Sequence, residues 1–282
     1  MSIKGITAAD KVEDEEGRQY HLNVAPGEVS DYLLLAGDPG RVEKAAQFFD
    51  SIDFETKNRE FVTITGSIDG ETYSVMSTGI GTDNMEIVLV ELCNVVEKPT
   101  VIRIGSCGSL RAEVELGSLV ISTGAVRLEN TSLFFVNEGY PSIATAEIVM
   151  ALVEAAEGME YPYEVGLTAS ASGFYGAQGR DIPGFPVRYP NLPEELAKMN
   201  VINFEMESST LFSLASLRGF SAGAICAVYA NRPHNAFISP EVKKKAEKRC
   251  IRTGLEALKF LREWEALRVK KGAKKFYPGL LL

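Results

Sequence analysis

Short apolar runs that stop at glycine and then give way to helical periodicity recur along this chain, and that alternation constrains its fold more than any other feature. Tyr32–Ala36 reads as a strand; Gly37-Asp38-Pro39-Gly40 breaks it, and a helix is expected over about residues 42–49. Residues 73–76 read as a second strand, followed by the tight loop Ser77-Thr78-Gly79-Ile80-Gly81-Thr82. Asp83 with Glu86 has the form of a capping box opening a helix that stops before Pro99. Residues 100–104 give a third strand, ending at Gly105-Ser106-Cys107-Gly108, and residues 119–122 and 223–229 give two more, their apolar continuity predicting burial on both faces. The pattern predicts an α/β protein, a sheet covered by helices. At 282 residues it is expected to form a single domain, with 1–20 as an N-terminal extension and 268–282 as a C-terminal tail.

Composition excludes some functions. A net charge of −9 opposes any general affinity for nucleic acid or an anionic membrane, so a bound phosphate must meet local cations. No stretch has the roughly 20 apolar residues of a membrane helix, and Met1-Ser2-Ile3-Lys4-Gly5 starts no signal-peptide pattern, so a cytoplasmic location is expected. Cys93, Cys107, Cys226 and Cys250 lie far apart and predict buried free thiols rather than a zinc site or disulfide framework.

Three stretches carry chemistry. Open α/β sheets bind ligands beyond the carboxyl ends of their strands, where this chain repeatedly puts glycine. Gly37 with Arg41, and Arg103 with Gly105 and Ser106, could cradle a small dianion through backbone N–H groups, a hydroxyl and guanidinium forks, although glycine turns and solvated arginines have the same appearance. Arg103 sits inside the apolar strand VIRI, where an unpaired charge is expensive, and so requires an anionic partner or ligand. In "NFEMESSTLFSLASLRG", Leu211, Leu214, Ala215 and Arg218 fall at helical spacing and Gly219 ends the helix. Glu205 and Glu207 either cap that helix or accept hydrogen bonds from a sugar diol, with Met206 packing on the sugar's apolar face. In "SASGFYGAQGRD", Phe174, Gln178 and Arg180 could meet the carbonyl and N–H edge of a pyrimidine, unless the segment is an ordinary polar loop.

Together "GDPGRVEK", "STGIG", "RIGSCGSL", "FYGAQGR" and "FEMES" occur in an order and spacing that resembles the uridine phosphorylase branch of the nucleoside phosphorylase family, from about His21 to Arg232. The resemblance implies a mixed, twisted sheet and reversible phosphorolysis of uridine to uracil and ribose 1-phosphate, without an organic cofactor and with inorganic phosphate as co-substrate. It implies Gly37, Arg41, Arg103 and Ser106 as phosphate ligands, residues 78–81 as a supporting loop, Glu205, Met206 and Glu207 as ribose contacts, and Phe174, Gln178, Arg180 and Arg232 around the base. Arg103, Glu207, Gln178 and Arg180 then carry the catalysis. His21, toward the ribose 5′-hydroxyl, and Arg59, toward phosphate, resemble residues that reach into a neighbouring subunit's site, making a homodimer the minimal active unit of an expected homohexamer. Glu60 resembles a residue that in some relatives binds an alkali ion such as potassium at the dimer interface.

Phosphate would attack the anomeric carbon directly, so the protein must position it and stabilise a cationic ribosyl ring and an anionic leaving base. Purine-specific relatives put an aspartic acid just after the late strand that here reads "CAVYANR"; Ala230 and Asn231 stand there instead, which disfavours purines. A purine nucleoside phosphorylase, a hydrolytic nucleosidase, which would not need Arg41 and Arg103, and a non-catalytic nucleoside-binding or storage protein remain the alternatives. The proline-rich segment 181–200 departs from the family pattern, and the basic then apolar tail predicts a flexible or interface-covering segment.

Overall fold

The computed structural model describes residues 9–281, so the signal-peptide reading at residues 1–5 lies outside the described residues. In chain order the elements are β1 (Tyr32–Ala36), α1 (Pro39–Ala46), β2 (Ser51–Asn58), β3 (Phe61–Ile68), β4 (Glu71–Ser77), α2 (Thr82–Val95), β5 (Thr100–Ser109), β6 (Leu119–Leu128), α3 (Ala146–Gly158), β7 (Tyr163–Ala171), α4 (Leu192–Lys198), β8 (Val201–Glu205), α5 (Ser208–Arg218), β9 (Ser221–Asn231), β10 (Ala236–Phe237) and α6 (Pro240–Lys270).

The ten strands form one mixed sheet in the order β10-β9-β6-β7-β8-β5-β1-β4-β3-β2, with β9 also pairing to β5. The β1–β5, β5–β9 and β6–β7 pairs are parallel, whereas β6–β9 and β5–β8 are antiparallel. Strands β5, β9, β6, β7 and β8 therefore close on themselves, since β5 touches β9 along its length and β8 at its end through Gly108↔Phe204 and Ser109↔Asn203. This closure explains why "GSCGS" is strand, where a strand end was expected. A register shift between Cys107 and Gly108 leaves Tyr229 of β9 as an extra residue, and beyond it Gly108 and Ser109 pair with β9 on one edge and β8 on the other.

Central strands are buried on both faces, as their apolar continuity predicts. Leu34, Ile102, Ile104 and Ile225 pack under α3 and α6, while Leu33, Leu35, Val101 and Ala224 pack under α2 and α5. Alternating side-chain direction along each strand sorts neighbours to opposite layers.

Several local expectations need correction. Helix α1 starts three residues earlier than residue 42, because Asp38 accepts from Gly40 N at 2.9 Å and Pro39 supplies the preset φ of a first turn. The capping box at Asp83 does not form: Gly81 occupies the N-cap without a side-chain bond, and Asp83 instead accepts from Thr131 Oγ1 at 2.5 Å. Cys107, Cys226 and Cys250 are buried free thiols, but Cys93 is only half-buried. The tail is not a loose segment: Phe276 stacks on Trp264 of α6 at 4.4 Å, and Lys271 Nζ donates to the Leu280 carbonyl at 2.6 Å. No helix among the described residues is long and apolar enough to cross a membrane.

Candidate active site

An open cavity of about 770 Å³ lies where the segments after β1, β4, β7 and β8 converge on the late residues of β5 and β9. Gly37, Arg41, Arg103, Ser106, Glu205, Met206, Glu207, Phe174, Gln178 and Arg180 all line it. The three chemical stretches, which are up to about 170 residues apart in sequence, thus meet in one place because four strand ends do.

Arg41 leaves the first turn of α1 and is 6% exposed. Its Nη1 donates to the Ile104 carbonyl at 3.0 Å and its Nε to Glu247 Oε1 at 3.2 Å, while Glu247 Oε2 takes Lys44 Nζ at 2.5 Å. One carboxylate from α6 therefore fixes two cations on the cavity wall. Sequence reasoning missed Lys44, although it stands one helical turn after Arg41 on the same face of α1. It also missed Glu247, Lys243 and Tyr229, which line the same wall. Glu247 lies in a lysine-rich stretch of a surface helix, and nothing local distinguishes it from a solvated acid.

Arg103 has the anionic partners its buried position demands. Nη2 donates to Glu207 Oε2, Nη1 lies 3.4 Å from Glu205 Oε2 and donates to Cys226 Sγ at 3.2 Å, and Nε has no partner among the described residues. Burial opposes its charge, but Glu207, Cys226 and Glu205 outweigh that and hold its pKa above the ordinary value. The guanidinium lies over Gly105, where any Cβ would collide with Nη1 and stand 2.8 Å from Cys226 Sγ.

The two acids, which both line the cavity, have different partners. Glu205 caps α5, accepting from the N–H groups of Glu207 and Ser208 at 3.0 Å and from Ser170 Oγ. Glu207 turns into the cavity, where Oε1 accepts from Gly81 N at 2.7 Å and Oε2 meets Arg103. Burial pushes the Glu207 carboxyl up, against the pull of Arg103. The loop at residues 78–81 thus supports Glu207 through a backbone N–H, and Gly79 and Ile80 line the cavity.

At the opposite end, the Arg180 guanidinium lies 3.8 Å over the Phe174 ring and donates to the Phe174 carbonyl and, at 2.7 Å, to Gln178 Oε1. Burial, with Arg232 beside it, pulls Arg180 down to about 10. Arg232 stands behind this layer and does not line the cavity, donating to the Gln178 carbonyl at 3.2 Å. Asn231 is turned away: its Nδ2 donates to the carbonyls of Arg111, Ala112 and Val114.

Three predicted residues fall at or beyond the rim. Glu60 lines the cavity and accepts from Asn84 Nδ2 at 3.3 Å. His21 and Arg59 do not line it: the His21 Nδ1 meets Glu91 Oε1 at 2.6 Å, and Arg59, at φ +53°, donates to Tyr20 Oη at 3.2 Å. Segment 181–200 holds α4 and the isolated bridge Ile182↔Phe185, and Pro193 packs within 2.8 Å of where a Gly179 Cβ would stand.

Known proteins share this arrangement of sequence and fold. A uridine phosphorylase of Thermococcus kodakarensis is 40% identical over 99% of both chains. A guanosine phosphorylase of Halorubrum lacusprofundi is 33% identical over 86% of this chain and 98% of its own. A solved Trypanosoma brucei nucleoside phosphorylase, described as showing uridine phosphorylase activity, superposes with a TM-score of 0.81 at 29% identity, covering 87% of this chain and 98% of its own. Residues 31–261, which include every side chain placed on the cavity wall, match the model of one family, and the chain accordingly belongs to the phosphorylase superfamily.

Proposed function

We propose that this protein catalyses the reversible phosphorolysis of uridine to uracil and ribose 1-phosphate. One observation carries the reading: cations, a diol acceptor and a base-edge pair follow one another along a single cavity, as Arg41 and Arg103, then Glu207 with Met206, then Gln178 and Arg180. Phosphate sits against Arg41, Arg103, Ser106 and the Gly37 backbone. Glu207 takes the ribose hydroxyls, and the cationic ribosyl ring that develops faces phosphate. Two half-buried guanidiniums, Arg180 and Arg232, have no carboxylate bonded to them among the described residues and favour a base that leaves as an anion. The side chains lining the base end, Phe174, Gln178, Arg180 and Ala230, offer no acid to protonate a purine. Superfamily enzymes of this type use phosphate as co-substrate and no organic cofactor.

We also propose that the chain works as a single domain in cytoplasmic homodimers that assemble into hexamers. His21 and Arg59, which stand off their own cavity, would serve the neighbouring one. A potassium ion beside Glu60 would need further oxygens from a second copy, because one protomer presents a single carboxylate there. The test is uracil release from uridine with and without millimolar phosphate, alongside thymidine, inosine and guanosine. Phosphate-dependent release from uridine supports the reading; phosphate-independent release, purine preference or no turnover overturns the nucleophile, the base site or the enzyme respectively.

A further inference from the structure

We propose that Cys226 is a positioning residue for phosphate, its sulfur holding the Arg103 guanidinium over Gly105 in the place from which it meets the anion. The inference rests on the reading of Arg103 as a phosphate ligand. In the parallel β5–β9 ladder Arg103 pairs with Ala224 and Gly105 with Cys226, so the side chains of Arg103 and Cys226 stand on one face with the bare Gly105 between them. Arg103 folds along its strand into the space that Gly105 leaves, and Nη1 donates to Cys226 Sγ at 3.2 Å.

The other contacts of the guanidinium all come from the opposite edge of β5. Glu205 ends β8, and Glu207 follows it, whereas Cys226 belongs to β9. Two carboxylates pull from one side, and a fully buried sulfur is the counterweight on the other. Sulfur is a weak acceptor, so it fixes direction without competing with phosphate as a third carboxylate would. Without it, Arg103 is drawn toward Glu205 and Glu207, away from Gly37 and Ser106.

The experiment compares wild type, Cys226→Ala and Cys226→Ser in steady-state phosphorolysis, varying phosphate and uridine separately. Loss of one hydrogen bond to a charged group is expected to raise the phosphate KM of the alanine variant about tenfold with the uridine KM, measured at saturating phosphate, unchanged, and serine, a smaller acceptor, to restore most of it. An unchanged phosphate KM overturns the positioning role, as does a parallel rise in both KM values, the mark of a loosened core. Should the alanine variant fail to fold, Cys226→Val, which fills the space but offers no acceptor, decides instead: a selectively raised phosphate KM supports the role and an unchanged one overturns it. Phosphate-independent turnover by the wild type would instead overturn the phosphate reading, and this inference with it.

Discussion

Arg103 and Glu207 bind each other across the floor of the cavity, each at least 96% buried, with Nη2 of the arginine donating to Oε2 of the acid. Each group is also the proposed ligand of a different substrate. Removing Glu207 takes away the nearer of the two carboxylates that balance Arg103 in a low dielectric, so Glu207→Ala is expected to lose activity and to destabilise the fold by about 3–5 kcal/mol. The double variant Arg103→Met, Glu207→Leu is expected to be equally inactive yet to regain much of the lost stability, because both members of the pair are gone and Glu205, which also faced Arg103, keeps its hydrogen bonds from Ser170 and from the Glu207 and Ser208 N–H groups. Urea unfolding of the three proteins checks this; equal destabilisation of single and double variants would refute it.

The same pair predicts coupled binding. A phosphate that recruits Arg103 loosens its hold on Glu207 and frees a carboxylate oxygen for the ribose diol. Phosphate is therefore expected to tighten nucleoside binding, typically by about 5- to 150-fold for coupled sites. Calorimetric titration of a non-reactive uridine analogue with and without phosphate measures the factor directly, and identical affinities in the two titrations would remove the coupling.

Tyr229 supplies a prediction in pH. Its hydroxyl is buried on the cavity wall near Arg41 and Glu247, has no hydrogen-bond partner among the described residues, and is pushed by burial up to about 12. The unfolded tyrosine ionises near 10. Folding thus favours the protonated form, and this group's contribution is fully present below pH 10 and lost as pH rises toward 12. Tyr229→Phe removes an unsatisfied polar atom and the alkaline loss together. The variant is expected to match or exceed wild-type stability at pH 7, by up to about 1–3 kcal/mol, and to widen its lead at pH 11. Thermal unfolding at both pH values gives the comparison.

The sequence carried the ends of strands better than their continuation. Tyr32–Ala36 and the Gly219 helix stop were legible because apolar period and glycine conformation are local signals. The strand character of "GSCGS" was not, since only pairing with β8 and β9 makes that glycine-rich run extended. Arg103's need for a counter-ion was legible from its apolar neighbours. That the counter-ions are Glu207 and Glu205, with Cys226 opposite, depends on strand order, which no local pattern encodes. Glu247 was invisible for the same reason, being 206 residues from the arginine it holds.

Asn231 separates position in sequence from position in the site. The sequence reading places it where purine-specific relatives carry an aspartic acid, which makes Asn231→Asp an obvious attempt to admit purines. In the fold its Nδ2 faces the carbonyls of Arg111, Ala112 and Val114, while Oδ1 accepts from His234 N at 3.1 Å. An aspartate would set a carboxylate against three acceptors with no donor to replace the lost amide, in a side chain that is 3% exposed. Asn231→Asp is therefore expected to cost about 3–5 kcal/mol, as an uncompensated buried charge does, and to gain no inosine phosphorolysis. Melting temperature and inosine turnover decide together. A stable variant that cleaves inosine would mean that the end of β9 can turn over and present residue 231 to the base, and that base choice rests there rather than on Gln178 and Arg180.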